Sequence, residues 1–291
     1  MNADGVFECV PNVSEGAHSD LIEELKLVAS ASAKIVDLHF DVDHGRSVFT
    51  LFGPKDGLVA AIKQLATKAI ESIDITHHRG VHPRMGAIDV IPFVDLTPAH
   101  RVYNKQAAQA CAEYIGINLE VPVFLYGGAS ANATELPDIR KRAFDPMIPD
   151  LGPHSPHPTA GAVAIGTRGP LVAFNVNLAT DDIEVARDIA SRIRESSGGL
   201  RGVRAIGLEL ASIGLTQVSC NLIEPSVTTM ADVLDAVSSI AEKTETLIAG
   251  TELVGLAPRE AFGGRSGKAL RLSRYKVLEE ELDKGVGELS P

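Results

Sequence analysis

The spacing of apolar positions changes several times along the chain, and the changes outline its elements. Phe7 to Val10 reads as a first strand, closed by Pro11 and Asn12. From Ser19 to Ser32, Leu21, Ile22, Leu25, Val28 and Ala29 recur at the spacing of one helical face. Two strand-like stretches follow, Lys34 to Phe40 and Arg46 to Phe52, on either side of a turn at Asp41-Val42-Asp43-His44-Gly45. After Gly53-Pro54 a long helix is marked by Val59, Ile62, Ala66, Ile70 and Ile73, and Ile88 to Val94 reads as a strand. The order β-α-β-β-α-β is that of the ferredoxin-like, or split βαβ, arrangement. A helix around Lys105 to Ile115 and a strand at Pro122 to Tyr126 extend it.

The second half predicts the same order. Leu171 to Val176 is a strand, and Thr180 is placed to cap a helix whose first turn is rich in acids (Asp181, Asp182, Glu184). That helix runs to about Ser196 and stops at Gly198-Gly199. Strands at Val203 to Leu210 and Leu215 to Asn221, a helix from Thr229 to Lys243 and a strand from Leu247 to Val254 complete it. No sequence repeat links the halves; only the element order does. The expected fold class is therefore α/β (α+β), with two ferredoxin-like βαββαβ subdomains, residues 1–178 and 179–291, and a ligand groove between them. Lys268 to Lys284 reads as a charged amphipathic helix, and 285–291 as a disordered end.

Composition narrows the picture. With 291 residues, 45% hydrophobic but only 4% aromatic and without Trp, the chain has material for a largely aliphatic core. A formal net charge of −11 speaks against nucleic acid as a partner, and an anionic substrate then needs a local cluster of positive groups. Cys9, Cys111 and Cys220 are too sparse for a disulfide framework or a zinc cluster and read as buried thiols in a reducing compartment. The first residues lack a basic region followed by an apolar one, and no run approaches the roughly 20 apolar residues of a membrane span. A cytoplasmic protein with no membrane partner is expected.

Candidate chemistry gathers in three places. The loop His77-His-Arg-Gly-Val-His-Pro-Arg-Met-Gly86 puts three imidazoles and two guanidiniums into an acidic chain. Pro83 restricts its own backbone and that of His82, so His82 is held in an extended conformation, suited to proton transfer near neutral pH. Arg84 suits a carboxylate. A charged surface loop that merely complements a helix C-terminus remains the alternative. His78 and His82 have the i, i+4 spacing of a metal pair, but Gly80 and Pro83 oppose a continuous helix there, and no metal is expected. The second place is Asp145 to Gly161, where Pro146, Pro149, Pro153, Pro156 and Pro158 exclude a helix or a central strand. It is either a plain linker or, with His154 and His157, a site-forming loop continued by Gly161, Gly166 and Arg168. The third is Val10 to Gly16 at the end of the first strand, where Asn12 and Ser14 offer hydrogen bonds.

Together these stretches resemble the glutamate formiminotransferases, the transferase half of formiminotransferase-cyclodeaminase. The resemblance rests on Glu8-Cys-Val-Pro-Asn-Val-Ser-Glu-Gly16, Asp43-His-Gly-Arg-Ser-Val-Phe-Thr50, His78-Arg-Gly-Val-His-Pro-Arg-Met-Gly-Ala-Ile-Asp-Val90, Val121-Pro-Val-Phe-Leu-Tyr-Gly127 and His157-Pro-Thr-Ala-Gly-Ala162, in that order. Ala173-Phe-Asn-Val-Asn-Leu178, Ile206-Gly-Leu-Glu-Leu210, Gln217-Val-Ser219 and Glu252-Leu-Val-Gly-Leu256 continue it to about Pro258. It implies transfer of the formimino group from N-formimino-L-glutamate to N5 of tetrahydrofolate by a homodimer, as a step of histidine breakdown. The family's catalytic histidine falls on His82. Its folate-binding segment falls on Thr159, Ala160, Gly161, Ala162, Val163, Ala164, Ile165, Gly166, Thr167 and Arg168. Asn12, Arg46 and Arg84 are further candidates for substrate binding. Tetrahydrofolate is a co-substrate, and no metal is implied. The chain departs from the family at Val81, where Glu is usual, and at His39, where Asp is common. These departures keep two alternatives open, a relative that handles 5-formyltetrahydrofolate and a non-catalytic folate binder.

Overall fold

The computed structural model describes residues 5–288, with side chains to residue 284; expectations that concern residues 1–4 and 289–291 lie outside the described residues. The chain divides into two compact units, residues 1–169 with 282–291, and 170–281.

In the first unit β1 (Phe7–Cys9) and β2 (Asn12–Val13) are two parts of one strand interrupted at Val10-Pro11. They are followed by α1 (Ser19–Ser30), β3 (Lys34–Asp41), β4 (Arg46–Gly53), α2 (Lys55–Ser72) and β5 (Ile88–Val94). Laterally the strands run β3, β4, β1 with β2, then β5, all antiparallel, as the ferredoxin-like order requires. The chain then adds α3 (His100–Glu113), β6 (Val123–Gly127), α4 (Leu136–Arg142) and β7 (Val163–Arg168). β7 pairs in parallel with both β5 and β6, so the sheet grows beyond the ferredoxin-like core. Helices cover one face. α2 buries Leu58, Ala61, Ile62, Leu65, Ala66 and Ala69, a continuous stripe at helical spacing, against Phe49, Leu51, Ile88, Ile91 and Phe93. Each large aliphatic side chain in such a stripe contributes about 1.5–3 kcal/mol.

The second unit comprises β8 (Val172–Leu178), α5 (Ile183–Ile193), β9 (Val203–Leu210), β10 (Leu215–Leu222), α6 (Met230–Lys243), β11 (Ile248–Val254) and the first turn of α7 (Leu278–Glu288). Its strands run β11-β8-β10-β9, again ferredoxin-like. Val172, Phe174, Val176 and Leu178 alternate into its core, while Asn175 and Asn177 occupy the other face, with Gln217 and Glu252 as hydrogen-bond partners. α6 starts at a capping box, Thr229 with Asp232.

Several expected boundaries differ. The units part at Gly169/Pro170 rather than after Leu178, because β8 pairs with β10 and β11. α3 begins at His100, five residues before the apolar spacing declares it, and ends in a π-helical turn, Tyr114–Asn118. Asp182 caps α5, its carboxylate accepting from Glu184 N, while Thr180 only accepts from Asp182 N upstream. No helix spans 268–277. That stretch packs Leu270, Leu272 and Val277 into the second core, and bridges Leu272 to Thr251 and Val277 to Ala257. α7 then continues to Glu288, past the point where an irregular end was expected.

Candidate active site

The site begins with the loop between α2 and β5. Backbone hydrogen bonds fasten it, among them Ile75 N to Thr159 O at 2.9 Å, Val81 N to Asp43 O at 2.9 Å, Ala87 N to Ala160 O at 2.9 Å and Ala162 N to Met85 O at 2.9 Å. One side of the loop is thereby tied to the β3–β4 turn, and the other to the hairpin at 157–161. The hairpin seat is tight. Gly161 has φ +67°, and a Cβ there would stand 2.3 Å from Met85 O. Ser14 Oγ donates to Gly86 O at 2.7 Å, joining the end of the first strand to the same loop.

Arg84 acts as a brace. Its guanidinium donates to His44 O at 3.0 Å and to His82 O at 2.7 Å, and lies 2.8 Å from His78 Nε2. Most of its fork is spent inside the protein, so it shapes the loop rather than facing a ligand.

Arg46, at the start of β4, does the opposite. It donates to Pro83 O at 3.4 Å and reaches three side chains. Its Nε donates to Asn12 Oδ1 at 2.9 Å, its Nη2 lies 2.9 Å from Asp89 Oδ2, and its Nη1 lies 3.0 Å from His82 Nδ1. Phe49 and Leu51 of β4 point into the helix-covered core, so the two-residue period puts Arg46 on the opposite face of the sheet. Asp89 is fully buried and is gripped from the other side by Arg140 of α4, at 2.6 Å and 3.2 Å, and by Met85 N at 2.7 Å. Burial alone would raise the Asp89 carboxyl, but Arg46 and Arg140 outweigh it and hold it below its ordinary value. Asp89 is therefore ionised, and Arg46, Asp89 and Arg140 together leave one net positive charge beside His82.

His82 Nδ1 has two neighbours, Arg46 Nη1 at 3.0 Å and Pro83 O at 2.8 Å. Nε2 has no hydrogen-bond partner among the described residues. Burial first, and the Arg46 charge second, push the imidazole down to about 3, so the ring is neutral at pH 7. A neutral ring has two tautomers here. When Nδ1 donates to Pro83 O, Nε2 presents a lone pair. When Nδ1 accepts from Arg46, Nε2 carries the proton. One nitrogen can thus serve as base and as acid in turn.

The hairpin histidine is committed elsewhere: His157 Nδ1 accepts from Thr159 N at 3.3 Å and Ala160 N at 3.0 Å, and His154 is exposed. Of Thr159 to Arg168, only the two ends are partly exposed; Ala160 to Thr167 are buried. Val163 and Ile165 face the helices, while Ala162 and Ala164 lie on the other face with Val90, Phe124 and Tyr126. The structure thus gathers His82, Arg46 and Asn12 into one hydrogen-bonded chain and turns Arg84 into their support. Arg168 lies at the far end of β7, roughly 20 Å along the strand from Ala162. The sequence reading overlooked one participant, Arg140. Arg140 sits on a seven-residue helix too short for a periodic signal, marked only by Pro137 in its first turn. Asp89 announced itself faintly, as a carboxylate inside an apolar strand.

No three His, Cys, Asp or Glu side chains are grouped as a metal requires among the described residues. The fold and the site define a two-unit α/β protein whose first unit holds a neutral imidazole, with a free Nε2, beside a locked cationic cluster.

The N-terminal subdomain of the formiminotransferase domain matches residues 6–168, and the formiminotransferase domain matches 173–281. The chain belongs to the formiminotransferase family. It is 38% identical to the glutamate formimidoyltransferase of Streptococcus pyogenes serotype M1, over 96% of this chain and 95% of the relative. It is 34% identical to that of Thermoplasma acidophilum, over 97% and 98%. Against the formimidoyltransferase-cyclodeaminase of Gallus gallus identity is 33%, and the match covers 95% of this chain but 54% of the relative.

Proposed function

We propose that the chain is a glutamate formimidoyltransferase, moving the formimino group from N-formimino-L-glutamate to N5 of tetrahydrofolate. The products are 5-formiminotetrahydrofolate and L-glutamate, a step of histidine degradation. The observation that carries this reading is the full-length likeness to single-function glutamate formimidoyltransferases, combined with the free Nε2 of His82. The chemistry is an amidine exchange. N5 attacks the formimino carbon and forms a tetrahedral adduct. The adduct collapses as the glutamate nitrogen leaves. His82 Nε2 takes the proton from N5 in its base form and returns one to the departing nitrogen. Such acid–base help typically contributes about 10²–10⁴-fold. Because the ring is neutral at pH 7, it accepts a proton without first losing one.

The excess positive charge of Arg46, Asp89 and Arg140 attracts the carboxylates of the donor, and Asn12 holds Arg46 in register. Folate is held by the segment from Thr159 to Arg168, which ends in β7 and whose partly exposed ends are Thr159 and Arg168. A homodimer in the cytoplasm belongs to the same reading. The test uses purified protein, tetrahydrofolate and N-formimino-L-glutamate, with 5-formiminotetrahydrofolate measured. Formation of that product only with the protein present is expected. Absence of product, with turnover from 5-formyltetrahydrofolate instead, would overturn the assignment of the donor.

A further inference from the structure

At pH 7 the His82 ring carries a single proton, and its surroundings compete over which nitrogen holds it. Arg46 Nη1 lies 3.0 Å from Nδ1, and Pro83 O lies 2.8 Å from the same atom. A guanidinium only donates and a carbonyl only accepts, so one Nδ1 cannot satisfy both neighbours. With a lone pair on Nδ1, Arg46 donates to it and Nε2 carries the proton. With the proton on Nδ1, Pro83 O accepts it, and Nδ1–H then stands against another donor at 3.0 Å. The first arrangement gains a charge-assisted hydrogen bond and the second a neutral one, and the charged kind is roughly twice as strong. Arg46 cannot turn away. Asn12 Oδ1 holds its Nε at 2.9 Å and Asp89 Oδ2 holds its Nη2 at 2.9 Å, so Nη1 is left to face the imidazole. Asp89 is itself fixed by Arg140 and by Met85 N.

The two forms differ in what Nε2 can do. In the Nε2–H form that atom has no lone pair for a proton, and losing the proton it has would leave an imidazolate. In the Nδ1–H form Nε2 takes a proton and gives it back while Nδ1 stays bonded to Pro83 O. Only this form performs the exchange proposed above. A path from one to the other is built in. Arg46 Nη1 is 3.4 Å from Pro83 O, and Pro83 is exposed, so the Nη1 hydrogen has a second acceptor beside Nδ1 on the solvent side. Pro83 O has two lone pairs and can take both hydrogens. An anionic acceptor that reaches Nη1 from that side draws it off Nδ1 and removes the donor that opposes Nδ1–H. The ring then gives its Nε2 proton to water and takes one at Nδ1, with no net change in protons.

We infer that Arg46 is a tautomer lock on His82, holding the ring in the inert Nε2–H form until a carboxylate of the one-carbon donor engages Nη1 and lets the proton move to Nδ1. Arg46 is thus a positioning residue that acts through His82. The release rests on the formimino-transfer reading above, whereas the form in the free protein does not. The test is nitrogen-15 magnetic resonance at pH 7 on protein labelled at the histidine ring nitrogens, with the His82 signals assigned by their loss in His82→Gln. Free wild type is expected to favour Nε2–H over Nδ1–H by on the order of 10:1, the margin between a charge-assisted and a neutral hydrogen bond. Saturation with L-glutamate, the product that keeps the donor's carboxylates, is expected to reverse the ratio. Formamidine, which carries the formimino group and no carboxylate, is expected to leave it unaltered. Arg46→Met is expected to show Nδ1–H with or without L-glutamate. Should that variant not fold, Asn12→Ala, which frees only Nε, is expected to bring the ratio in the free protein toward equality. Nδ1–H in free wild type, or an unaltered ratio in a folded Arg46→Met or in Asn12→Ala, overturns the lock. An unaltered wild-type ratio with L-glutamate shown bound by calorimetry overturns the release, and so does reversal by formamidine. Failure of L-glutamate to bind rejects the carboxylate reading of the cationic cluster, and the release with it, while the ratio in the free protein still decides the lock.

Discussion

If Glu8 is ionised in the folded protein without a partner, it must weaken the fold, and the size of the effect follows from its environment. Its carboxyl titrates near 4.5 when solvated and near 7 in the fold. Between those values the folded chain holds a proton that the unfolded chain has lost, so stability falls as pH rises through that window. At 1.36 kcal/mol per pH unit the loss reaches about 3 kcal/mol above pH 7. Glu8→Gln keeps the shape, removes the charge and breaks no ion pair. Urea unfolding of both proteins at pH 5, 6, 7 and 8, followed by far-ultraviolet circular dichroism, measures the difference. The variant should be only slightly more stable at pH 5 and about 3 kcal/mol more stable at pH 8. The charged or titratable groups that act on Glu8 are Arg168 and Cys9, and neither changes its charge in this range. A stability gap that does not vary with pH would refute the reasoning, because it would show that Glu8 does not titrate differently in the fold.

Other perturbations separate roles within the site. His82→Ala should keep the fold and lower turnover by about 10²-fold or more in steady-state assays. The acid limb of the wild-type rate profile should lie well below the ordinary histidine value of 6.5, because burial and Arg46 depress the ring. Val81→Glu, with a backbone already fixed by Asp43 O, should move that limb upward by placing a carboxylate next to the imidazole, as pH–rate profiles of the two proteins would record. Asp89→Asn should cost about 3–5 kcal/mol in chemical denaturation, since it leaves Arg46 and Arg140 facing each other without a buried counter-charge.

The two ferredoxin-like halves were legible because their apolar spacing switches cleanly between strand and helix, as in Phe49–Leu51 on β4 and Leu58–Leu65 on α2. The loop chemistry was legible for the opposite reason: His78, His82 and Arg84 interrupt that spacing. What escaped was pairing at a distance. That Arg84 reaches the His44 carbonyl, or that Arg46 joins Asn12, Asp89 and His82, depends on contacts across 34 or more positions, which no local pattern encodes. Glu8 looked like one more residue of a family motif. Only the alternation of β1, with Phe7 and Cys9 packed under the helices, shows that its carboxylate is turned to the other face and left alone.

The grip of Arg46 and Arg140 on a single carboxylate bears on how this unit can be taken apart. Arg46 comes from the ferredoxin-like core, whereas Arg140 comes from the segment that leads into the parallel strand β7. The His82 loop is in turn seated on the hairpin that opens that same strand. A chain cut after β5 would keep every element of the ferredoxin-like core. It would also carry His82 and Arg46 with Asp89 half-matched and the loop without its seat. The loop is consequently not a portable part. Grafting it onto another ferredoxin-like scaffold requires importing the parallel extension as well, and minimisation of this protein has its lower limit at the end of β7.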